Sequence, residues 1–310
     1  MANAYNSTST LTNLVQTAYD RMVEWQLRSV PQFRAVVDKR PAMQAMPGSV
    51  VVFTIQNDLT ALATTPLTET VDPDAVARPA PTQVSVTLQE YGNAELDTLR
   101  LRRLAFTDIE QEQAITIGRN MADTMDALVR GVLDGGSNNL YQTGTSTIAL
   151  SGPATSPATI QLMQTAVTKL RAAAVDPRVG DSYVAYIHPD VSFDIRTQSG
   201  ANNAGWITPH AYTDTSAIYA GEVGQFGGAR FIETPRTTVV AGSPNIYKSY
   251  VVGRQAVAEA VAEEPHVIIG PVVDKLRRFY PLGWYSLIGW SLYRPQSLWI
   301  TQSTTSIAGG

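Results

Sequence analysis

Cysteine is absent from the 310-residue chain, and its 27 acidic residues outnumber its 23 basic ones. The lack of cysteine excludes disulfides, thiolate metal sites and cysteine nucleophiles, so stability has to come from packing. The charge balance argues against a groove that grips nucleic acid through many phosphate contacts, because such grooves concentrate lysine and arginine. If the protein meets DNA, we expect it to surround the DNA without sequence-specific binding.

Long hydrophobic runs are also missing. The longest uncharged, aromatic-rich run covers residues 279–293, which is shorter than the roughly 20 apolar residues that a bilayer span needs. Residues 1–10 have neither a basic patch nor an apolar core, so they do not predict a signal peptide. We therefore expect no membrane partner, and maturation in the cytoplasm of the cell that makes the protein.

The glycine-rich segment 221–236 imitates a phosphate-binding loop but lacks its spacing. A dinucleotide-binding loop needs the pattern G-x-G-x-x-G between a strand and a helix, and G-x-G occurs nowhere in the chain. No glycine precedes any of the four lysines, so the Gly-Lys pair of a nucleotide loop is missing too. The glycines lead instead into residues 229–233, which predict a strand that ends before Pro235.

No group of side chains predicts an active site. The nucleophile elbow G-x-S-x-G does not occur, and Ser182 comes nearest to it without the second glycine. The histidines, at His188, His210 and His266, form neither an H-E-x-x-H motif nor a close pair. We interpret His188, which precedes Pro189, as a strand-end residue whose ring satisfies local backbone groups. We predict no catalytic, cofactor-binding or metal-binding residue, and no enzymatic activity.

Two groups of carboxylates are interpreted as surface features. Asp123 and Asp126 are three residues apart and share one face of a predicted helix, as paired catalytic acids can. A solvated helix face is the interpretation that we favour. We expect Glu259, Glu263 and Glu264 to form an exposed acidic patch.

Residues 1–47 predict an arm. Apolar residues at helical spacing over 11–23 predict a helix with one apolar face. The following segment, 33–47, contains Pro41 and Pro47 and is expected to be extended and irregular.

An antiparallel hairpin with a long loop follows the arm. Residues 48–57 and 82–91 have the composition and alternation of strands. A loop longer than about 15 residues is uncommon in a compact domain and usually serves a partner. We therefore expect the loop between these strands to project and to be covered by another subunit, with a flexible insertion as the alternative.

Residues 108–134 predict the longest helix. Thr107 and Glu110 fit a capping box, and Gly135 ends the helix. At 1.5 Å per residue it would span on the order of 40 Å, which makes it a candidate spine for an elongated subunit. Its expected buried stripe consists of Met121, Met125, Leu128 and Val132.

Residues 150–260 alternate between helix and strand, which predicts a separate α/β domain. The expected elements are a helix at 157–175, a strand at 183–187, a short helix after Pro189, and strands at 230–233 and 246–253. Strands are expected again at 267–269, 276–279, 284–293 and 297–301. Because three of the five tryptophans lie in this last part, we expect it to pack on the long helix.

Segment 221–236, the turn at residues 187–190 and the aromatic tail resemble the corresponding parts of tailed-bacteriophage major capsid proteins of the HK ninety-seven type. The order of arm, long-loop hairpin, long helix, α/β domain and returning strands is similar to that family over most of the chain. The resemblance implies an α+β fold, the phage major capsid fold. Its expected parts are an N-terminal arm at 1–47, an extended hairpin loop at 48–92, a peripheral domain with the spine helix at 93–150 and 264–310, and an inserted α/β axial domain at 151–263.

The resemblance further implies a structural protein that self-assembles into an icosahedral shell of hexamers and pentamers enclosing phage double-stranded DNA. In such proteins the arm and the hairpin loop reach over neighbouring subunits. The expected location is the virion capsid, after assembly in the cytoplasm of a host bacterium. Portal and decoration proteins would be separate partners. Any scaffold would be a separate protein too, because the arm helix is expected to begin by about residue 9 and leaves no room for a long scaffolding segment before it.

Some relatives link their subunits by an isopeptide bond between a loop lysine and an asparagine. Residues 40–168 contain no lysine, so we predict no such crosslink.

Three other functions are weighed against the phage shell. A microbial nanocompartment shell shares the fold and would enclose a cargo enzyme in place of DNA. A small-molecule enzyme would need a pocket with convergent polar groups in the inserted domain, and a tail protein or adhesin is disfavoured by the long helix.

Overall fold

A computed structural model describes residues 29–41, 49–59, 66–67, 69–70, 72, 75–105, 109–150, 156–198, 222–271 and 274–307. The predicted arm helix, the capping residue Thr107, His210 and Gly221 lie outside these residues. The described part has an α+β fold, with helices and strands combined in one chain.

The helices are α1 (Leu99–Leu104), α2 (Ile109–Asp134), α3 (Thr147–Leu150), α4 (Ile160–Ala172) and α5 (Pro189–Thr197). The strands are β1 (Val37–Pro41), β2 (Val50–Ile55), β3 (Thr82–Thr87), β4 (Gln89–Thr98), β5 (Asn139–Tyr141), β6 (Tyr183–Ile187), β7 (Glu222–Phe226), β8 (Ala229–Glu233), β9 (Val239–Val240), β10 (Ile246–Val252), β11 (Val257–Ile269), β12 (Phe279–Leu292) and β13 (Leu298–Ser303). Two 3-10 turns cover Phe33–Val36 and Pro295–Ser297.

One sheet has the strand order β1-β11-β12-β4, in which only β1 and β11 are parallel. Part of the predicted irregular arm therefore belongs to this sheet, as its edge strand β1. The strand ends at Pro41, which suits an edge because proline has no N–H to donate to a further strand. β11 begins at Val257, ten residues before the strand expected at 267, so the first part of this strand was not predicted.

The second sheet has the order β5-β13-β10-β6-β8-β7, with β9 added beside β10. Its central strand β6 is buried along its whole length, because both faces of the sheet are covered. Tyr183, Ala185 and Ile187 pack with α4 and α5. Val184 and Tyr186 face the opposite core, which holds Phe33 and the end of α2. The expected α/β alternation of this part of the chain is confirmed.

The long helix α2 packs on β12 and covers the predicted range almost to the residue. Its buried stripe is rotated from the expected one. Of the four predicted residues only Met125 is buried, and the stripe continues through Ile117, Val129 and Leu133. The spacing of apolar residues predicted the wrong face of α2, because polar Gln113 and Asp126 are buried with this stripe. The apolar residues beside the stripe remain half-exposed.

The predicted hairpin is confirmed: β2 and β3 pair antiparallel from Val50↔Thr87 to Ile55↔Thr82. Its inner face packs on β11 and β12. The second strand is shorter than predicted, because residues 89–91 already belong to β4 and pair with β12.

The last strand, β13, joins a different sheet from the one expected. It pairs with β10 and β5, so it belongs with the α/β elements and not with the returning strands of β11 and β12. The turn at Pro295–Ser297 carries the chain from one sheet to the other. Periodicity identifies a strand but does not say which strands lie beside it.

The expected packing of the tryptophan-rich end on the long helix is confirmed for Trp284, which lies in one core with Ile117 and Met125. Its indole N–H also donates to Asn120 Oδ1 of the helix, at 2.9 Å. Trp299 of β13 packs instead against the core formed by α4 and α5.

Candidate assembly surfaces

The segment 29–41 is fastened where the two sheets meet. Phe33 is fully buried, with its ring centroid 5.0 Å from that of Tyr186 and 5.9 Å from that of Tyr250. The Tyr186 hydroxyl donates to the Gln32 carbonyl at 2.9 Å. These contacts make the segment part of the packed fold.

The carboxylates Asp123 and Asp126 share a helix face as predicted, but that face is not solvated. Asp126 is 2% exposed, and its Oδ1 accepts hydrogen bonds from the backbone N–H groups of Gln32 and Phe33, both at 2.8 Å. Arg236 donates to Asp126 Oδ2 at 3.1 Å and also to Asp123. The surface interpretation is therefore wrong: this acid pair is a structural tie between α2, the arm segment and the second sheet.

The charge on Arg236 is stabilised in this tie. Burial alone would lower the pKa of the guanidinium, but its hydrogen bonds to the two aspartates outweigh burial and raise the pKa. No proton-transfer chemistry is available from an arginine held in this state.

The predicted acidic patch is wrong for one of its three members. Glu259 is fully buried in β11 and pairs with Arg34, whose Nε donates to Glu259 Oε1 at 3.1 Å. Glu263 and Glu264 are exposed, and Glu264 also accepts from Arg34 at 3.1 Å. Burial lowers the pKa of Arg34, but the two glutamates raise it by more. The pair ties the arm segment to the central strand of the first sheet.

A further carboxylate, Asp134, fixes the end of the spine helix. Asp134 accepts from Lys248 Nζ at 3.1 Å and from the Tyr250 hydroxyl at 2.8 Å, both on β10, and from Thr238. Burial, with the nearby Asp134 charge, raises the pKa of Tyr250. Buried ion pairs of this kind need a partner for every charge, because one unpaired buried charge destabilises the fold.

His188 behaves as predicted from the sequence. Its Nδ1 accepts a hydrogen bond from the Asp190 N–H at 3.3 Å and so caps α5 at its N-terminus. Burial lowers the pKa of the ring, despite the opposing charges of Asp190 and Glu233. Ser182, the nearest match to a nucleophile elbow, is buried and accepts from Gln225 Nε2 at 2.8 Å.

The glycine-rich segment forms a β-hairpin and not a phosphate-binding loop. Gly227 and Gly228 have φ values of 58° and 88° and connect β7 to β8, a two-residue turn that needs left-handed backbone at both positions. The expected strand at 229–233 is confirmed. Strand β7 was missed, although a Gly-Gly pair between two strand-like runs is a known hairpin signal.

Apolar side chains project from the hairpin and its loop. On the outer face of β2, Val50 and Val52 are 44% and 51% exposed. In the loop, Leu67 and Val76 are 78% and 56% exposed. The sequence identified the loop but none of these side chains, which stand out because none of the loop residues that the structure describes is buried. Contiguous exposed apolar surface on a folded protein marks a site of contact with other proteins.

An open groove of about 460 Å³ lies along the first sheet, near the ends of β11 and β12. Its lining includes Ile268, Pro281, Trp284 and Ala94 but no titratable side chain. Ile269, at the end of β11, is 82% exposed. The groove can hold an apolar segment but offers no group for acid, base or nucleophilic chemistry.

Within the described residues, no three His, Cys, Asp or Glu side chains are placed to hold a metal ion. In the same part of the chain, none of the helices combines the length and the apolarity that crossing a membrane requires.

These features define a class of protein: a structural subunit with exposed apolar surfaces. A family model described as "Phage capsid protein" matches residues 36–294, so the chain belongs to the phage capsid protein family. It is a structural major capsid protein, one subunit of a multi-subunit shell, and its place is the virion capsid.

Solved capsid structures have the same fold. The capsid of Ralstonia phage GP4 is 14% identical, with a TM-score of 0.76 over 96% of this chain and 97% of that one. A cyanophage Pam1 capsid chain is 14% identical, with a TM-score of 0.74 over 100% of both chains. A chain of Mycobacterium phage Che8 is 18% identical, with a TM-score of 0.65 over 94% of this chain and 98% of that one. A search of curated protein sequences finds no match.

Proposed function

We propose that copies of this chain form the icosahedral head of a tailed phage, built of hexamers and pentamers around double-stranded DNA, and that the chain has no enzymatic activity. The observation that carries the proposal is the family match over residues 36–294, which includes the spine helix and most of both sheets. Assembly would take place in the cytoplasm of the host bacterium. Scaffold, portal and decoration proteins would be separate chains.

The proposed parts of the subunit correspond approximately to the two sheets. Residues 1–47 act as the arm, 48–92 as the extended hairpin loop, 93–150 and 264–310 as the peripheral domain, and 151–263 as the axial domain. Strand pairing supports two changes to these bounds. β13 pairs within the second sheet and so goes with the axial domain, whereas the first half of β11 pairs within the first sheet and so goes with the peripheral domain.

Negative-stain electron microscopy of the purified protein tests the proposal before any activity assay. We expect closed particles or tubes of regular capsomers. Nuclease-protected DNA inside particles from infected cells would support a phage head, whereas an enzyme as cargo would indicate a nanocompartment. A compact dimer with a ligand-sized pocket would contradict the shell and favour an enzyme.

Deletion of residues 62–79 tests the role of the hairpin loop. The paired strands β2 and β3 lie outside the deletion, as does the hydrogen bond from Asn57 Nδ2 to the Ala80 carbonyl, at 2.7 Å. We expect a soluble, folded monomer that assembles poorly. Unchanged assembly would show that the loop is not a clasp between subunits.

A further inference from the structure

A small, partly enclosed cavity of about 40 Å³ lies where the chain passes between the two sheets. Its walls come from the end of α4 at residues 173–176, the turn from β10 to β11 at 254–255, and the turn from β12 to β13 at 294–297. Both passages between the sheets therefore border the same space. One water needs roughly 10–15 Å³ of such space, so the cavity has room for about three waters or one compact ion.

Two arginines line the cavity, one on each of the two turns. Within the described part of the chain, the side chains of Arg254 and Arg294 have neither an ion-pair nor a hydrogen-bond partner. Arg254 is exposed, whereas Arg294 is half-buried and its Nε is fully buried. Buried polar groups normally have partners, so the chain itself leaves the donors at this cavity unsatisfied.

Ser297 adds a second unsatisfied group to the same wall. It lines the cavity and is 1% exposed, and its hydroxyl has no hydrogen-bond partner among the described residues. Guanidinium groups with a hydroxyl beside them are the donors that bind oxyanions, because an arginine can donate two parallel hydrogen bonds to one tetrahedral or planar anion. The donor set therefore fits an oxyanion.

The backbone holds the three walls in fixed positions. The Arg254 N–H donates to the Asp176 carbonyl at 3.0 Å, and the Gly253 N–H donates to the Ser297 carbonyl at 2.8 Å. Two non-glycine residues that line the cavity, Ala174 and Gln255, have φ values of 51° and 58°. Such left-handed backbone is unfavourable for residues with a Cβ and concentrates at binding sites.

One acid, the exposed Asp176, also lines the cavity. In the part of the chain that the structure describes, its carboxylate forms no ion pair with either arginine. Asp176 repels a fully ionised oxyanion such as sulfate, but it can accept a hydrogen bond from an oxyanion that still carries a proton. A phosphate group loses its second proton close to neutral pH. Asp176 therefore favours phosphate over sulfate.

We propose that this cavity binds inorganic phosphate in its hydrogen phosphate form, with Arg254 and Arg294 donating to its oxygens and Asp176 accepting from its P–OH group. The bound ion joins the two turns that connect the sheets, and so stabilises the subunit. A phosphodiester of DNA has no such proton to donate, and its two ester links extend beyond a cavity of this size. The site does not depend on the shell function, because it lies within one subunit.

Calorimetric titration of the unassembled subunit with inorganic phosphate, and with sulfate at equal ionic strength, tests the site. We expect saturable binding of one phosphate per chain, about tenfold or more tighter than sulfate, because only phosphate can donate to Asp176. The thermal midpoint should rise with the phosphate concentration, since the ligand binds the folded state. Asp176→Asn should remove the preference, because its amide can donate to sulfate.

Arg254→Gln and Arg294→Gln should each weaken phosphate binding by about tenfold or more, because each removes charge-assisted hydrogen bonds. Arg100→Gln is the matched control: it removes the same charge from an exposed position on α1, outside the cavity, and should bind phosphate like the wild type. Thermal midpoints in phosphate-free buffer report whether each variant folds, and the exposed position of Arg254 keeps at least one cavity variant informative.

Four results would overturn the proposal. They are no phosphate binding, equal affinity of the wild type for phosphate and sulfate, unchanged phosphate affinity in both arginine variants, and a preference for phosphate that survives in Asp176→Asn. Displacement of phosphate by a short DNA oligonucleotide would assign the arginines to phosphodiesters and also overturn it. None of these results bears on whether the wild type forms shells.

Discussion

Asp126 joins three parts of the chain through one carboxylate. It accepts from two backbone N–H groups of the arm segment and from Arg236, while lying on the spine helix. Asp126→Ala would leave these donors buried without an acceptor, so we expect a loss of about 2–3 kcal/mol in the free energy of unfolding. Urea unfolding of the unassembled subunit measures it.

The matched control for this loss is Asp181→Ala, at an exposed turn, which should change stability by less than about 0.5 kcal/mol. Asp126→Asn keeps one acceptor oxygen and should fall between the two. Equal midpoints for Asp126→Ala and Asp181→Ala would show that the tie contributes nothing.

His188 makes the folded subunit less stable as the pH becomes acidic. Burial lowers its pKa in the folded protein, while the unfolded chain has the ordinary value of about 6.5. Below that value the unfolded state binds a proton that the folded state resists, so stability is fully present above pH ~6.5 and is lost as the pH falls through the folded pKa.

His188→Asn separates this effect from capping, because asparagine also accepts at a helix N-cap but does not titrate. Between pH ~6.5 and 5 the wild-type subunit should lose more stability than the variant. Above pH 7 the difference between the two should stay constant. Parallel acid profiles for the two proteins would exclude His188 as the source of the dependence.

At the scale of elements, the docking of the hairpin on the first sheet depends on a close approach. A Cβ on Gly289 of β12 would lie 2.2 Å from the Thr87 carbonyl oxygen, which is backbone and cannot rotate away. Gly289→Ala should therefore push β3 off the sheet and cost about 1–3 kcal/mol of stability. Thermal unfolding, together with the particle yield, measures both consequences.

Gly118→Ala is the matched control, because nothing lies within 4 Å of its added Cβ on α2. Alanine is the better helix former, so this variant should gain about 0.5–1 kcal/mol. If both variants gain stability, the hairpin does not depend on contact at Gly289.

Elements with strong local signals could be predicted from the sequence, but the elements that pack beside them could not. The spine helix, the hairpin, β6 and the His188 cap each follow from spacing or end chemistry within a few residues. The burial of Asp126 and Glu259 depends on Gln32, Phe33 and Arg34, which are distant in sequence and carry no local mark of that pairing. The sheet to which β13 belongs was not predicted, because its partner strands are also distant in sequence.

At the scale of the whole molecule, each subunit makes many modest contacts with its neighbours. Repetition of these contacts over a closed shell makes the assembly stable. The subunit itself is held by buried ties from the arm segment and the second sheet to α2 and β11. We expect these repeated contacts to hold the shell together with no covalent bond between copies.

Boiling assembled particles in detergent should therefore release monomer of 33.5 kDa. No lysine lies between residues 40 and 168, so the hairpin loop has no amine for an isopeptide bond. Lys169 lies in the last turn of α4, and Lys248 is paired with Asp134. A ladder of dimers, trimers and larger species on the gel would contradict a purely non-covalent shell, and mass spectrometry of the ladder would identify the linked residues. A single monomer band would leave surface contacts, such as those of the hairpin loop, as the source of particle stability.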